Sequence, residues 1–331
     1  MTELTDRFNR KHEYLRISLT DNCNLNCIYC SPIGSCIPKT EKKDILTYEE
    51  IIRIVNLFAV AGFKKFRFTG GEPLLRRDVL ALFEKLSELR KKYKFELLIT
   101  TNGILLHDKI DKLMEYGVER LNISLDSLKS DNFIKINGSK DYLQIVIDNI
   151  EQAIAADIKI KINTVIIRGI NETELIDFCD FSIKYSVNVR FIEFMPFSSN
   201  NWNKEQFISS AEMREIISAK YLLKRLDQDL STSDNYLIEG TGGMIGFINP
   251  ISDHFCSSCN RLRISSDSNL KLCLFSESSG SINFKKMINQ NYTDSQMLDI
   301  ISAALQNKES EHSAITNSKL LLNNEMLNIG G

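Results

Sequence analysis

Between residues 15 and 194 the chain alternates regularly, and this limits its fold more than any other feature. Short β-rich runs lie at residues 15–20, 65–69, 96–101, 120–125, 159–167 and 188–194. Between them, apolar residues recur at helical spacing. Residues 47–61 place Ile51, Ile52, Val55, Leu57 and Phe58 in this way, with Thr47 and Glu50 as a capping box. Residues 78–91, 108–116, 142–156 and 172–185 follow the same pattern. A strand followed by a helix and another strand makes a parallel pair, and a row of such units makes a parallel sheet coated by helices. Six units rather than eight predict an incomplete, TIM-like (β/α)6 barrel, open on one side.

In such folds the chemistry gathers where strands end. The unusual polar and glycine-rich clusters fall there. Cys23, Cys27 and Cys30 follow the first strand, and Gly70-Gly71-Glu72-Pro73 the second. Thr100-Thr101-Asn102-Gly103, Ser124-Leu125-Asp126 and Glu193-Phe194-Met195-Pro196 close the third, fourth and sixth. After Pro196 the pattern breaks. A helix is expected over 209–224, a polar linker over 227–235 and a compact Gly/Cys segment over 240–275. The chain thus divides into a partial barrel over 1–199 and a smaller region over 200–331.

With 41 Lys+Arg against 43 Asp+Glu, the net charge is −2, which argues against coating nucleic acid or anionic lipid. An anionic ligand must then be held by local basic clusters. No apolar run is long enough to span a bilayer, and the N-terminus has no signal-peptide pattern, so a cytoplasmic protein is expected. In a reducing compartment, eight cysteines are not a disulfide framework. Six of them form two triplets, Cys23/Cys27/Cys30 and Cys256/Cys259/Cys273, while Cys36 and Cys179 stand apart. Three thiolates can cap three irons of a [4Fe–4S] cube and leave the fourth iron open. Zinc is the alternative, with Cys36 or His254 as a fourth ligand. Arg261 and Arg263, one residue apart on an extended segment, point the same way and make an anion clamp beside the second triplet. His12, His107 and His312 carry no motif and are expected at the surface.

The CxxxCxxC run with Tyr29 before its last cysteine, together with the GGEP loop, resembles the signature of radical S-adenosylmethionine enzymes. Adding the second triplet with its embedded Asn260-Arg261-Leu262-Arg263 and the terminal Gly330-Gly331, the chain resembles the GTP 3′,8-cyclase family of molybdenum cofactor biosynthesis. Residues 65–78, 99–103, 120–126 and 190–196 extend the likeness.

That resemblance implies two [4Fe–4S] clusters, one on each triplet, and S-adenosyl-L-methionine held by Tyr29, Gly71, Ser124 and Met195. It implies GTP held by Arg16, Arg67, Thr100, Lys161, Arg261, Leu262 and Arg263. Cys23, Cys27, Cys30, Arg261, Arg263, Gly330 and Gly331 would be the catalytic residues, with the tail folded back into the barrel and anchored by Ile329. A deoxyadenosyl radical would take the ribose 3′ hydrogen, and the carbon radical would close onto C8 of guanine. The implied partners are a reductant such as flavodoxin or ferredoxin and, downstream, cyclic pyranopterin monophosphate synthase, with the chain as monomer or homodimer. A peptide-modifying maturase of the same superfamily is the alternative. Residues 266–269 lack the glycine usual in this turn, and Asn269 is expected to take the left-handed conformation instead. Asn323, Asn324 and Glu325 stand where the family carries an arginine.

Overall fold

The structure, a computed structural model, describes residues 3–35, 37–226, 232–253, 256–275, 282–311 and 326–329. Its frame is one sheet built on six parallel strands: β1 (Tyr14–Ser18), β2 (Lys65–Thr69), β3 (Glu96–Thr101), β4 (Val118–Ser124), β5 (Lys159–Ile166) and β6 (Asn188–Glu193). The segment after residue 199 adds strands to both edges. β9 (Met244–Ile248) pairs parallel with β6, and β10 (Arg261–Ile264) pairs parallel with β1. Beyond them, β8 (Asp234–Ile238), β7 (Leu223–Arg225) and β11 (Leu270–Lys271) run antiparallel. The order β11-β10-β1-β2-β3-β4-β5-β6-β9-β8-β7 leaves the sheet open.

Strand alternation decides which side chains meet the helices and which meet the lumen. On β1, Leu15 and Ile17 are buried outward and Arg16 faces the lumen; Phe66 and Phe68 flank Arg67 on β2 in the same way. The outward residues pack on α1 (Tyr48–Val60), α2 (Val79–Tyr93), α3 (Ile110–Glu115), α5 (Leu143–Ala155) and α6 (Leu175–Tyr185). α1 starts at the expected capping box: Glu50 N donates to Thr47 Oγ1 and Thr47 N to Glu50 Oε2. No described helix is long and apolar enough to cross a membrane.

Several expectations need correction. α4 (Ser130–Asn137) is an addition to the expected helices, too short at eight residues to show a sustained pattern and burying only Phe133, Ile136 and Asn137. The helix expected over 209–224 stops early, as α7 (Ser210–Ser218), and Leu223–Arg225 is strand. Asp234 and Asn235 begin β8 rather than ending a linker. In the turn over 266–269 it is Ser268, not Asn269, that takes a left-handed φ of 69°. His12 is buried, because Asp6 in the N-terminal hairpin lies 3.2 Å from its Nε2. His107 is exposed, and His312 lies outside the described residues.

Candidate active site

The loop carrying Cys23, Cys27 and Cys30 leaves the end of β1 and is held mainly by backbone. Asn26 N donates to Asn137 O (2.8 Å) and Ile28 N to Ile136 O (2.9 Å), so α4 serves as its shelf. Tyr29 is an anchor: its hydroxyl donates to Asp126 Oδ2 (2.8 Å), whose other oxygen accepts from Val165 N (2.8 Å). Asn200 Nδ2 donates to both Tyr29 O (3.0 Å) and Met195 O (2.9 Å), which ties this loop to the end of β6. Burial pushes the Cys23 thiol up to about 11 and Cys30 to about 12, and Cys27 well above the usual range. Glu72 adds to the rise at Cys23, and Asp126 and the other two thiols add to it at Cys27. The three thiols are half-buried, and a cationic centre such as iron would offset the cost of ionising them side by side.

The GGEP loop braces the cysteine loop. A Cβ on Gly71 would lie 2.3 Å from Asn22 O, and one on Gly70 would lie 2.6 Å from Thr20 O. Gly71 N donates to Thr20 O (2.6 Å) and Glu72 N to Asn22 O (2.8 Å). The glycines therefore allow two backbones to touch and brace the cysteine loop. Glu72 is fully buried. It accepts from Leu74 N, Thr101 Oγ1 and Asn102 N at 2.8–2.9 Å, and burial raises its pKa to about 7. Glu193 is a second internal latch, accepting from the backbone N–H groups of Ser210, Ile251 and Ser252.

The lumen is a cavity of about 550 Å³ that touches all three cysteines of the second triplet. Arg16, Arg67, Lys161, Arg190, Arg261 and Arg263 line it. Parallel pairing puts Arg263, Arg16 and Arg67 in one row across β10, β1 and β2. Burial first, and then the neighbouring cations, lower the pKa of Arg263 to about 10, Arg190 to about 9 and Lys161 to about 8. Tyr14 accepts a hydrogen bond from Arg67 Nε. Although burial raises its phenol, Arg67 and Arg16 outweigh this and bring it to about 7. Among the described residues, Arg190 Nε and Nη2, Asn122 Oδ1 and Asn163 Oδ1 are buried with no hydrogen-bond partner. Crowded cations and orphaned polar atoms around one cavity suit a polyanion with hydrogen-bonding groups.

Of the residues singled out in the sequence, Arg16, Arg67, Lys161, Met195, Arg261, Arg263 and the second triplet meet in this lumen. Thr100 sits behind Arg67, whose Nη1 lies 3.4 Å from its Oγ1. Ser124 ends β4 in register with the lumen residue Asn163. Leu262 is fully buried with the apolar core, so only its backbone can reach a ligand. Met326 lines the cavity and Ile329 is buried, while Gly330, Gly331, Cys36 and His254 lie outside the described residues. Sequence reasoning missed Tyr14, Asn122, Asn163 and the lumen-facing role of Arg190. Tyr14 has the parity of Arg16 on β1, Asn163 that of Lys161 on β5 and Asn122 that of Ser124 on β4, so counting by twos would have found these three, whereas no residue singled out on β6 shares the parity of Arg190. Asn200 carried no signal.

Comparison with known proteins agrees with this geometry. The Radical SAM superfamily profile matches residues 17–182, and Molybdenum Cofactor Synthesis C matches residues 187–314. GTP 3′,8-cyclase of Clostridium botulinum is 40% identical over 99% of this chain and 100% of its own length. The chain belongs to the GTP 3′,8-cyclase family. Another relative is the mitochondrial GTP 3′,8-cyclase of Arabidopsis thaliana, 39% identical over 99% of this chain and 83% of its own. Molybdenum cofactor biosynthesis protein 1 of Dictyostelium discoideum is 45% identical over 99% of this chain. The chain spans about half the length of that relative, 52%. Among solved structures, Streptococcus suis SuiB bound to S-adenosylmethionine superposes with a TM-score of 0.66 at 16% identity, over 96% of this chain and 74% of that one, a likeness of fold.

Proposed function

We propose that the chain converts GTP to 3′,8-cyclo-7,8-dihydro-GTP, the first step of molybdenum cofactor biosynthesis. The observation that carries this reading is a lumen lined by both a cysteine triplet and six inward-facing cations. Cys23, Cys27 and Cys30 would hold the first [4Fe–4S] cluster and Cys256, Cys259 and Cys273 the second. S-adenosylmethionine would lie between the first and the ends of β4 and β6. When bound, these groups supply the one-electron chemistry that removes the ribose 3′ hydrogen and lets the sugar carbon join C8 of guanine.

The chain's own residues bind and orient the substrate. A nucleoside triphosphate carries about four negative charges, which need several cations in a partly closed site. Arg263, Arg16 and Arg67 form one bank of charge, and Lys161 and Arg190 the facing one. An arriving polyanion favours the charged form of Lys161. The apolar side chains of Leu98, Ile192 and Ile248 line the same cavity and reduce the water in it. The reading also includes a cytoplasmic setting, a flavodoxin- or ferredoxin-type reductant, and cyclic pyranopterin monophosphate synthase as receiver of the product.

Anaerobic incubation with GTP, S-adenosylmethionine and dithionite tests it. The expected outcome is 5′-deoxyadenosine with an equal amount of cyclised nucleotide. Cofactor cleavage with GTP left unchanged would overturn the substrate assignment.

A further inference from the structure

A second group of buried charges lies behind the second cysteine triplet, apart from the lumen bank, and the reaction just described does not use it. Lys308, just past α8 (Asp294–Leu305), is only 4% exposed, and its Nζ donates to Arg261 O at 3.0 Å. Arg10 reaches the same loop from the N-terminal hairpin: its Nη1 donates to Cys256 O (2.8 Å) and its Nη2 to Glu309 O (2.7 Å). Asp6, 3% exposed, accepts from Arg10 Nε (2.7 Å) and lies 3.2 Å from His12 Nε2. Burial, and then the Lys308 charge, bring His12 to about 4, so it is neutral near pH 7. Among the described residues, two cations, Lys308 and Arg10, here face one carboxylate, Asp6.

Burying an ammonium is costly, and one backbone carbonyl compensates it poorly. After the burial penalty, the largest influence on Lys308 is the favourable field of Cys259, with Cys273 also contributing. Among the described residues, Asp6 is the carboxylate that acts on it, and Arg10 opposes that effect. In geometric terms the ammonium is held against the backbone two residues past Cys259, as Arg10 is held against the carbonyl of Cys256.

We propose that Lys308, with Arg10 and Asp6 setting its position and net charge, is a positioning residue that tunes the reduction potential of the group held by Cys256, Cys259 and Cys273. This rests on the reading of that triplet as a [4Fe–4S] site. Adding an electron to a thiolate-ligated cluster increases its negative charge. A fixed buried cation therefore favours the reduced form and raises the potential. Removing that cation lowers the potential, and removing the nearby carboxylate raises it.

The test is spectroscopic redox titration of the reconstituted holoprotein, with the two clusters followed by their separate EPR signals. Lys308→Met is expected to disfavour reduction of the second cluster about tenfold, about 59 mV for a one-electron couple. The first cluster should be unaffected, and Lys308→Arg should restore the wild-type value. Asp6→Asn should shift the second cluster in the opposite direction. Unchanged potentials in Lys308→Met and Asp6→Asn would overturn the proposal. If Lys308→Met does not retain the cluster, Asp6→Asn decides alone: an upward shift supports the proposal and no shift overturns it. A wild-type protein holding about four irons rather than eight would overturn the reading of the second triplet instead.

Discussion

The two cysteine triplets have the same number of thiols in opposite electrical surroundings. Around Cys23, Cys27 and Cys30 the nearby charged groups are the carboxylates Glu72 and Asp126, and the thiols are pushed up. At Cys259, burial also pushes upward, but Arg261 and Lys308 outweigh it and bring the thiol down to about 7. One loop is therefore suited to a ligand bearing cationic groups, as the ammonium and sulfonium of S-adenosylmethionine are. The other is suited to an anionic ligand. Sequence spacing alone does not distinguish them, because the difference lies in the strand ends that face each loop.

The largest effect that would test this contrast is cluster loss. Cys27→Ala should remove about four irons and abolish cofactor cleavage. Cys259→Ala should remove a different four and leave some cleavage to deoxyadenosine. Iron and sulfide analysis decides, and loss of all iron from either variant would mean a shared site.

Next comes Gly71→Ala, whose Cβ has no room against Asn22. The clash should displace the first loop, so that the first cluster's EPR signal is lost while the second survives. A variant that retains both signals would show that the loop yields more easily than the packing suggests.

Smaller again is Arg263→Ala, which deletes a buried charge-assisted contact worth about 1.5–3 kcal/mol. GTP affinity, measured by calorimetry on the anaerobic protein, should fall about tenfold to a hundredfold with iron content unchanged. Affinity equal to wild type would remove Arg263 from the anion site.

The smallest effect is expected of Cys179→Ala. Cys179 is fully buried with the apolar core under α6. Iron content and turnover should not change, and the thermal midpoint should drop by a few degrees, about 1 kcal/mol.

Much of the frame was readable because its signals are local. β2 and β3 match their expected bounds, and the capping box at Thr47 was visible as a pattern of two residues. Arg261 and Arg263 were readable from their spacing on an extended segment, while Arg16 and Lys161 came with the family resemblance, and their alternation with Leu15, Ile17, Ile160 and Ile162 agrees with it. What was not readable depends on long-range contacts. Two of the three donors that hold Glu72, Thr101 and Asn102 at the end of β3, lie about thirty residues away. Nothing local shows that β9 and β10 would flank β6 and β1, since their partners are set by tertiary pairing. His12 appeared featureless until Asp6 and Lys308 surrounded it.

The placement of β9 and β10 has a consequence for how the chain is made. As the polypeptide leaves the ribosome, β1 to β6 can assemble while both margins of their sheet still lack hydrogen-bonding partners. Such bare margins are templates for pairing with other chains. β10 must travel back across more than two hundred residues to reach β1, which makes this closure slow. The nascent protein therefore passes through an aggregation-exposed stage that ends only when its last third has been synthesised. Versions shortened at the C-terminus should accumulate as insoluble material even where every residue of the first cysteine loop is intact.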